Sequence, residues 1–165
     1  PAGRRVSTPA TLVDSFQTIL EATATPAAAA DADLPGRSLL GLAAGPDEPD
    51  RTAFCEYHAV ASIAGYFMIR WANYKYVHFE GHAPQLFDLA SAPGELTALA
   101  AAPAHAAAVA EGLRRLRAIC DPAAVAALAF ADQQRRIEEL GGLDKVLGLK
   151  SYPYTPAPGE APRFA

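Results

Sequence analysis

The sequence predicts an α+β fold in which helices pack on a small four-stranded antiparallel sheet. Aromatic and β-branched residues, which favour strands, concentrate between residues 52 and 89. Apolar residues recur at helical spacing on both sides of that stretch. The links between the predicted strands are short, and short links join antiparallel neighbours.

The chain has 165 residues, a net charge of -4 and two cysteines. This length is sufficient for one hydrophobic core, and two cysteines exclude a fold built on disulfides. The acidic balance argues against a nucleic-acid partner, because phosphate binding needs clustered Lys and Arg. No apolar run reaches the roughly 20 residues that cross a bilayer, so no membrane partner is expected. The chain enters a helix soon after Pro1, which indicates a fragment of a longer protein.

Residues 1–50 are predicted to form a helix followed by a connector. The helix is expected to open at Thr8, which can cap free amides, and at Pro9, which fits a first turn. Asp14 is expected to lie off its apolar stripe. The stripe consists of Leu12, Val13, Phe16, Ile19 and Leu20. Prolines and glycines then break up the chain to Asp50.

Residues 51–150 are predicted to form a sheet-and-helix subdomain. The expected strands are 52–58, 65–71, 74–79 and 85–89, and Ala72 and Asn73 form a two-residue hairpin loop. Alternation on the third strand separates the side chains of Tyr74, Tyr76 and His78 from those of Lys75, Val77 and Phe79. Both sets include apolar side chains, so both faces of the sheet are expected to be covered.

Two helices are predicted after the sheet. The first begins near Pro103 and buries a stripe of Val109, Leu113, Leu116 and Cys120. The second is capped by Asp121, starts at Pro122, packs through apolar residues that include Leu128, and ends at Gly141 and Gly142. A last turn or two is expected over 143–149, and the proline-rich residues 151–165 are expected to form an extended tail that contacts a neighbour.

The densest group of reactive side chains is Phe54-Cys55-Glu56-Tyr57-His58 at the end of the first strand. Alternation places Glu56 and His58 on one face, where either could steady the other for acid–base work or anion binding. The alternative is a solvated strand end with His58 bonded to backbone.

Other patterns give little support for chemistry. The residues Cys55, His58, His78, His82 and Cys120 lack the spacing of a zinc site. Three arginines of the first late helix, Arg114, Arg115 and Arg117, are expected to form a solvated face. Phosphate-binding loops and nucleophile elbows of the common types do not occur.

Six segments, taken in order, resemble the C-terminal region of sulfatases of the alkaline-phosphatase-like superfamily. They are PATLVDSFQTILEA (9–22), LPGRSLL (34–40), FCEYHA (54–59), FMIR (67–70), YKYVHF (74–79) and QLFDL (85–89). The similarity covers most of residues 9 to about 132, because APGELTALA (92–100) stands where sulfatases carry a related turn. The pattern is most similar to bacterial choline-sulfatase-like hydrolases and to the C-terminal region of sulfoglucosamine sulfohydrolases.

The resemblance implies a fold and a reaction. The fold would be the C-terminal subdomain of an alkaline-phosphatase-like sulfatase, and the partner would be the N-terminal sulfatase domain. The reaction would be hydrolysis of a small sulfate ester by a formylglycine nucleophile with calcium, both located before Pro1. The chain alone is therefore expected to be inactive and to hold no catalytic residue or metal. Glu56, Tyr57 and His58 become candidates for contacting the organic part of the substrate, and the tail 151–165 for joining copies of the chain.

Cys120-Asp-Pro-Ala-Ala approaches the C-x-P-x-R motif that yields formylglycine, but Ala124 stands at the position of the arginine. Without that cation to hold the anion, Cys120 is not expected to be the nucleophile. Two alternatives remain open. One is a phosphate or phosphonate ester hydrolase of the same superfamily, and the other is a non-catalytic assembly or binding module.

Overall fold

A computed structural model describes residues 3–59, 62 and 64–148, and it confirms the predicted α+β class. Four antiparallel strands form one sheet in the order β1-β2-β3-β4. The strands are β1 (Ala53–Tyr57), β2 (Tyr66–Trp71), β3 (Tyr74–Phe79) and β4 (Gln85–Asp88). The helices are α1 (Asp14–Ala22), α2 (Leu39–Ala44), α3 (Ala106–Arg117), α4 (Pro122–Glu139) and α5 (Leu143–Leu147). The predicted tail 151–165 lies outside the described residues.

The chain divides into two compact units, Pro1–Val125 and Ala126–Ala165. The first unit holds the sheet, α1 to α3 and the first turn of α4. In the second unit Leu128 is 64% exposed, so the prediction that it packs was wrong. In the described part of the chain, none of the helices is both long and apolar enough to span a membrane.

The hairpin between β2 and β3 forms at the predicted place. Trp71 pairs with Tyr74, which leaves Ala72 and Asn73 as the two-residue loop. Ala72 has a φ of 43°, in the left-handed region where residues other than glycine are uncommon. Its amide donates to the carbonyl oxygen of Pro49 at 2.6 Å. This bond ties the loop to the connector and helps to hold Ala72 in that conformation.

The core lies between α3 and one face of the sheet. Its buried members are Phe67, Ile69, Trp71, Tyr76, Leu86 and Leu116. The predicted stripe of the first late helix is confirmed, because Val109, Leu113 and Cys120 pack against the same cluster as Leu116. Gly112 permits the close approach of α3, since a Cβ atom there would stand 2.5 Å from the Tyr76 Cγ atom.

The opposite face of the sheet is only partly covered, unlike the prediction for both faces. Val77 and Phe87 are buried there, but Met68 and Phe79 are half-buried. Lys75 pairs with Glu95 of the loop after β4, and its ammonium group lies 5.9 Å from the centre of the Phe87 ring. Lys75 and the loop that carries Glu95 therefore cover part of this face, whereas α3 covers the core face.

The predicted start of the first helix was wrong. The Thr8 hydroxyl does not cap a helix but accepts a hydrogen bond from the Glu48 amide at 2.8 Å. α1 begins at Asp14, whose carboxylate accepts from the Thr11 amide at 2.9 Å. The predicted stripe also faces outward, since Leu12 is 86% exposed.

Asp14 is instead completely buried and anchors the N-terminal segment. Both nitrogens of the Arg51 fork donate to its two oxygens, at 2.9 and 2.7 Å, and the Arg37 amide donates at 2.9 Å. Burial acts to raise the pKa of Asp14, but the hydrogen bonds from Arg51, Thr11 and Arg37 outweigh burial and lower it below 3.8. The buried carboxylate thus stays ionised because Arg51 and the Thr11 and Arg37 amides donate hydrogen bonds to it.

This anchor also fixes the start of β1. Arg51 stands just before the strand and donates to the Pro9 carbonyl oxygen at 2.6 Å. The Thr11 hydroxyl donates to the Phe54 carbonyl oxygen at 3.2 Å. The N-terminal segment therefore lies along the outer edge of β1, where a free edge would otherwise expose unpaired backbone groups.

Arg115 is not solvated, contrary to the prediction for the arginines of α3. Its side chain is 12% exposed and lies over the Trp71 ring at 5.3 Å. The guanidinium pairs with Glu111 and Asp50, and it donates to Thr52 at 2.9 Å. Arg115 therefore joins α3 to the residues that lead into β1.

Candidate functional site

Polar side chains from two strands meet at one end of the sheet. β1 and β3 both run antiparallel to β2, so they run parallel to each other and end on the same side. β1 ends in Glu56 and Tyr57 and is followed by His58, while β3 contributes His78 and is followed by Glu80. This end of the sheet is therefore the candidate site.

Glu56 and His58 lie close together on the core side of the sheet, where alternation predicts them. The His58 Nε2 atom is 3.6 Å from a carboxylate oxygen of Glu56. The Glu56 side chain is 43% exposed and the His58 side chain 18% exposed, so the pair is accessible from one side. A carboxylate beside an imidazole can orient the ring for proton transfer or for hydrogen bonding to a ligand.

A second histidine–carboxylate pair lies across the Phe67 ring. Phe67 is fully buried and is flanked by the His58 ring at 5.1 Å and the His78 ring at 6.1 Å. The His78 Nε2 atom is 3.1 Å from a carboxylate oxygen of Glu80. In the sequence His78 is a candidate only for zinc binding, and Glu80 belongs to no candidate group. Because β1 and β3 run in the same direction, their ends could have been predicted to bring the Glu56–His58 and His78–Glu80 pairs to one end of the sheet.

Tyr57 is the one predicted site residue that the structure separates from the others. It points to the opposite face of the sheet, where it is paired in register with Tyr66 and is 46% exposed. Tyr57 therefore does not share the surface that Glu56 and His58 form on the core side.

Cys120 lies at the junction of α3 and α4 near this end of the sheet. Burial raises the pKa of its thiol, and the carboxylates of Glu56 and Asp121 raise it further. A thiol held in the protonated form is a poor nucleophile. Asp121 accepts hydrogen bonds from the amides of Ala123 and Ala124, at 3.1 and 3.3 Å, and so caps α4. The Cys120-Asp-Pro segment therefore forms a helix junction.

The described residues offer no metal centre. Within residues 3–59, 62 and 64–148, no three side chains of His, Cys, Asp or Glu come together in a way that could hold a metal ion.

The sequence matches no protein-family model, and no curated protein is significantly similar to it. Solved structures do match. The phosphonate monoester hydrolase of Agrobacterium radiobacter is 32% identical over 71% of this chain and 26% of its own, with a TM-score of 0.52. A 2-O glycosaminoglycan sulfatase is 26% identical over 64% of this chain and 23% of its own, with a TM-score of 0.53.

A third solved structure is similar to this chain over nearly the same share of its length. A protein of Bacteroides thetaiotaomicron assigned as a sulfatase is 26% identical over 63% of this chain and 23% of its own, with a TM-score of 0.51. The chain thus spans about a quarter of the length of the structures it matches.

Proposed function

We propose that this chain, which has the fold of the C-terminal region of alkaline-phosphatase-like sulfatases, works as part of a larger hydrolase that cleaves sulfate esters. The main support for this proposal is the order in which the sulfatase-like segments occur along the chain. The stretches that resemble sulfatases in sequence fall in the same order on consecutive elements: FCEYHA on β1, FMIR on β2, YKYVHF on β3 and QLFDL on β4. Local sequence and overall fold therefore support the same family.

The proposal places the chemistry in the part of the protein that precedes this chain. There a formylglycine would serve as nucleophile and calcium would polarise the sulfate oxygens. The Cys120 thiol is not activated, since burial raises its pKa. What this chain would supply is a wall beside the substrate and a surface for the N-terminal domain. Exposed apolar side chains around α1, such as Leu12 and Ile19, support such a covering partner.

One observation favours a second function. The phosphonate monoester hydrolase is 32% identical to this chain over 71% of its residues, compared with 26% for each of the two sulfatases described above. The alternative is therefore hydrolysis of a phosphate or phosphonate ester by the same architecture. A non-catalytic assembly or binding module is the remaining alternative.

The first test is to read the coding sequence upstream of Pro1. The proposed function predicts an in-frame C-x-P-x-R motif, in which Ser can replace the Cys, preceded by a pair of Asp residues. The encoded protein should then hydrolyse 4-nitrophenyl sulfate faster than phenyl phosphonate esters, and the 165-residue chain alone should hydrolyse neither. A preference for the phosphonate would favour the alternative, and an unrelated upstream domain would leave a binding module.

Glu56 and His58 are proposed to contact the organic part of the substrate. In the intact enzyme, Glu56→Ala and His58→Ala should change the ratio of kcat/KM between two different sulfate esters by about tenfold, or about 1.4 kcal/mol of differential binding. Steady-state kinetics on an aryl and a small alkyl sulfate measures this ratio.

The control for these variants is Gln85→Ala, which alters an exposed residue at the same end of the sheet but on the other face. It should leave the ratio unchanged. Tyr57→Ala tests whether the opposite face also borders the substrate. An equal loss of kcat/KM for both esters in Glu56→Ala, in step with a lower melting temperature, would show that Glu56 serves only stability.

A further inference from the structure

A small cavity lies between the end of β3 and the junction of α3 and α4. Its volume is about 160 Å³, and its polar lining comes from His78, Glu80, Arg117 and Asp121. A wider depression of about 360 Å³, lined by Arg117, Cys120 and Asp121, adjoins it. The cavity thus combines charged groups from a strand end, a helix end and a helix start.

The positive charge in this cavity comes from Arg117. Among the described residues, no carboxylate lies within ion-pair distance of Arg117, although Asp121 and Glu80 line the same cavity. The neighbouring arginines of α3 differ, because Arg114 and Arg115 both pair with Glu111. Arg117 is therefore available to a carboxylate or sulfonate, which its planar fork can bind through two hydrogen bonds.

The negative charge in the cavity comes from the carboxylates of Glu80 and Asp121. Glu80 is fixed by His78, at 3.1 Å, and its side chain remains 36% exposed. Asp121 uses one oxygen to cap α4 through the Ala123 and Ala124 amides. These two carboxylates would repel a simple anion bound to Arg117, whereas they would attract an ammonium group attached to it.

We propose that this cavity binds a small zwitterion, with its carboxylate or sulfonate on Arg117 and its ammonium group towards Glu80 and Asp121. The size of the cavity agrees with such a ligand. A volume of 160 Å³ corresponds to about five water molecules, since each occupies about 30 Å³ in the liquid. Leu113 and Pro122 complete the lining with apolar surface that suits a short methylene chain. The proposal does not depend on sulfate-ester hydrolysis.

The test is a titration of the ¹⁵N-labelled 165-residue chain, followed by NMR at the amides of Cys120 and Ala123. The probes are glycine, β-alanine and 4-aminobutyrate, which differ in charge separation, with acetate and methylamine as single-charge controls. At least one zwitterion should bind with a Kd at least tenfold below those of acetate and methylamine. Tight binding of acetate would overturn the proposal in favour of a simple anion site, and the absence of any shift would overturn it outright.

Variants assign the binding to the two charges. Arg117→Gln and Glu80→Gln should each raise the Kd of the best zwitterion at least tenfold, and Arg117→Lys should raise it less than Arg117→Gln. The matched control is Arg114→Gln, one turn earlier on α3, where the side chain is 65% exposed. An equal effect of Arg114→Gln would show a general charge effect and would contradict the site. Amide shifts of the sheet residues, unchanged in each variant, confirm that the chain remains folded.

Discussion

The Asp14→Ala variant is expected to lose about 3–5 kcal/mol of its free energy of unfolding, because it breaks a buried ion pair. The substitution removes a carboxylate that is completely buried and accepts from Arg51, Thr11 and Arg37. Arg51, whose side chain is 13% exposed, would be left as an uncompensated charge. Urea denaturation of the 165-residue chain, followed by circular dichroism, measures the loss.

Two controls separate the buried pair from charge in general. Asp47→Ala removes an exposed carboxylate that pairs with Arg4, and its effect should be much smaller. The double variant Asp14→Leu with Arg51→Met removes both charges and should recover part of the stability, because a buried pair can be replaced by apolar side chains at little cost. A loss as small as that of Asp47→Ala would contradict the role assigned to Asp14.

The same carboxylate predicts a pH dependence. Its pKa in the folded chain lies below 3.8, so the folded state binds the proton less readily than the unfolded state does. Its contribution to stability is therefore fully present above the unfolded pKa of about 3.9 and is lost as the pH falls through the folded pKa. In Asp14→Asn this group cannot titrate. The stability of the native chain should thus fall more steeply than that of Asp14→Asn below about pH 4.

Other carboxylates also make stability depend on pH in that window, because they titrate near pH 4 in the unfolded chain, and this is why the variant is needed. Hydrogen bonds from Arg114 and Arg115 lower the pKa of Glu111 to about 2. Glu111 is present in both proteins, so its effect cancels in the difference. Parallel stability curves for the two proteins between pH 7 and pH 3 would contradict the assignment to Asp14.

The second large effect is expected for Gly112→Ala, which should lower the free energy of unfolding by about 1–3 kcal/mol through overpacking. A Cβ atom at this position would stand 2.5 Å from the Tyr76 Cγ atom and 2.7 Å from its Cβ atom. Tyr76 is 1% exposed and belongs to an inner strand, so its ring has little room to move. Thermal and urea denaturation measure the change.

A loss of stability in Gly112→Ala would be informative, because the higher helix propensity of alanine should increase stability. In an exposed helix, alanine is more favourable than glycine by about 1 kcal/mol. Gly41→Ala in α2 is the matched control, since a Cβ atom there would have no neighbour within 4 Å, and it should stabilise the chain slightly. If Gly112→Ala also stabilised the chain, α3 would not be held against β3 at this glycine.

The candidate site was partly predictable from the sequence. The period of two along a strand places Glu56 and His58 on one face and also places Tyr57 on the other, as observed. The same period pairs His78 with Glu80, whereas the approach of His78 to Phe67 needed the register of β2 and β3. Register depends on contacts between strands and cannot be obtained from the pattern within one strand.

The sheet, the hairpin at Ala72 and Asn73, and the two helices that follow are correctly predicted from the sequence. These elements depend on local periodicity, capping residues and turns, which act within a few residues of each other. The burial of Asp14 and Arg115 depends on tertiary contacts, whereas local patterning places both side chains in solvent. Arg51 reaches Asp14 from 37 residues along the chain, and Asp50 reaches Arg115 from 65. Burying a charge requires compensating partners, and the partners that lie far along the chain cannot be read from a local pattern.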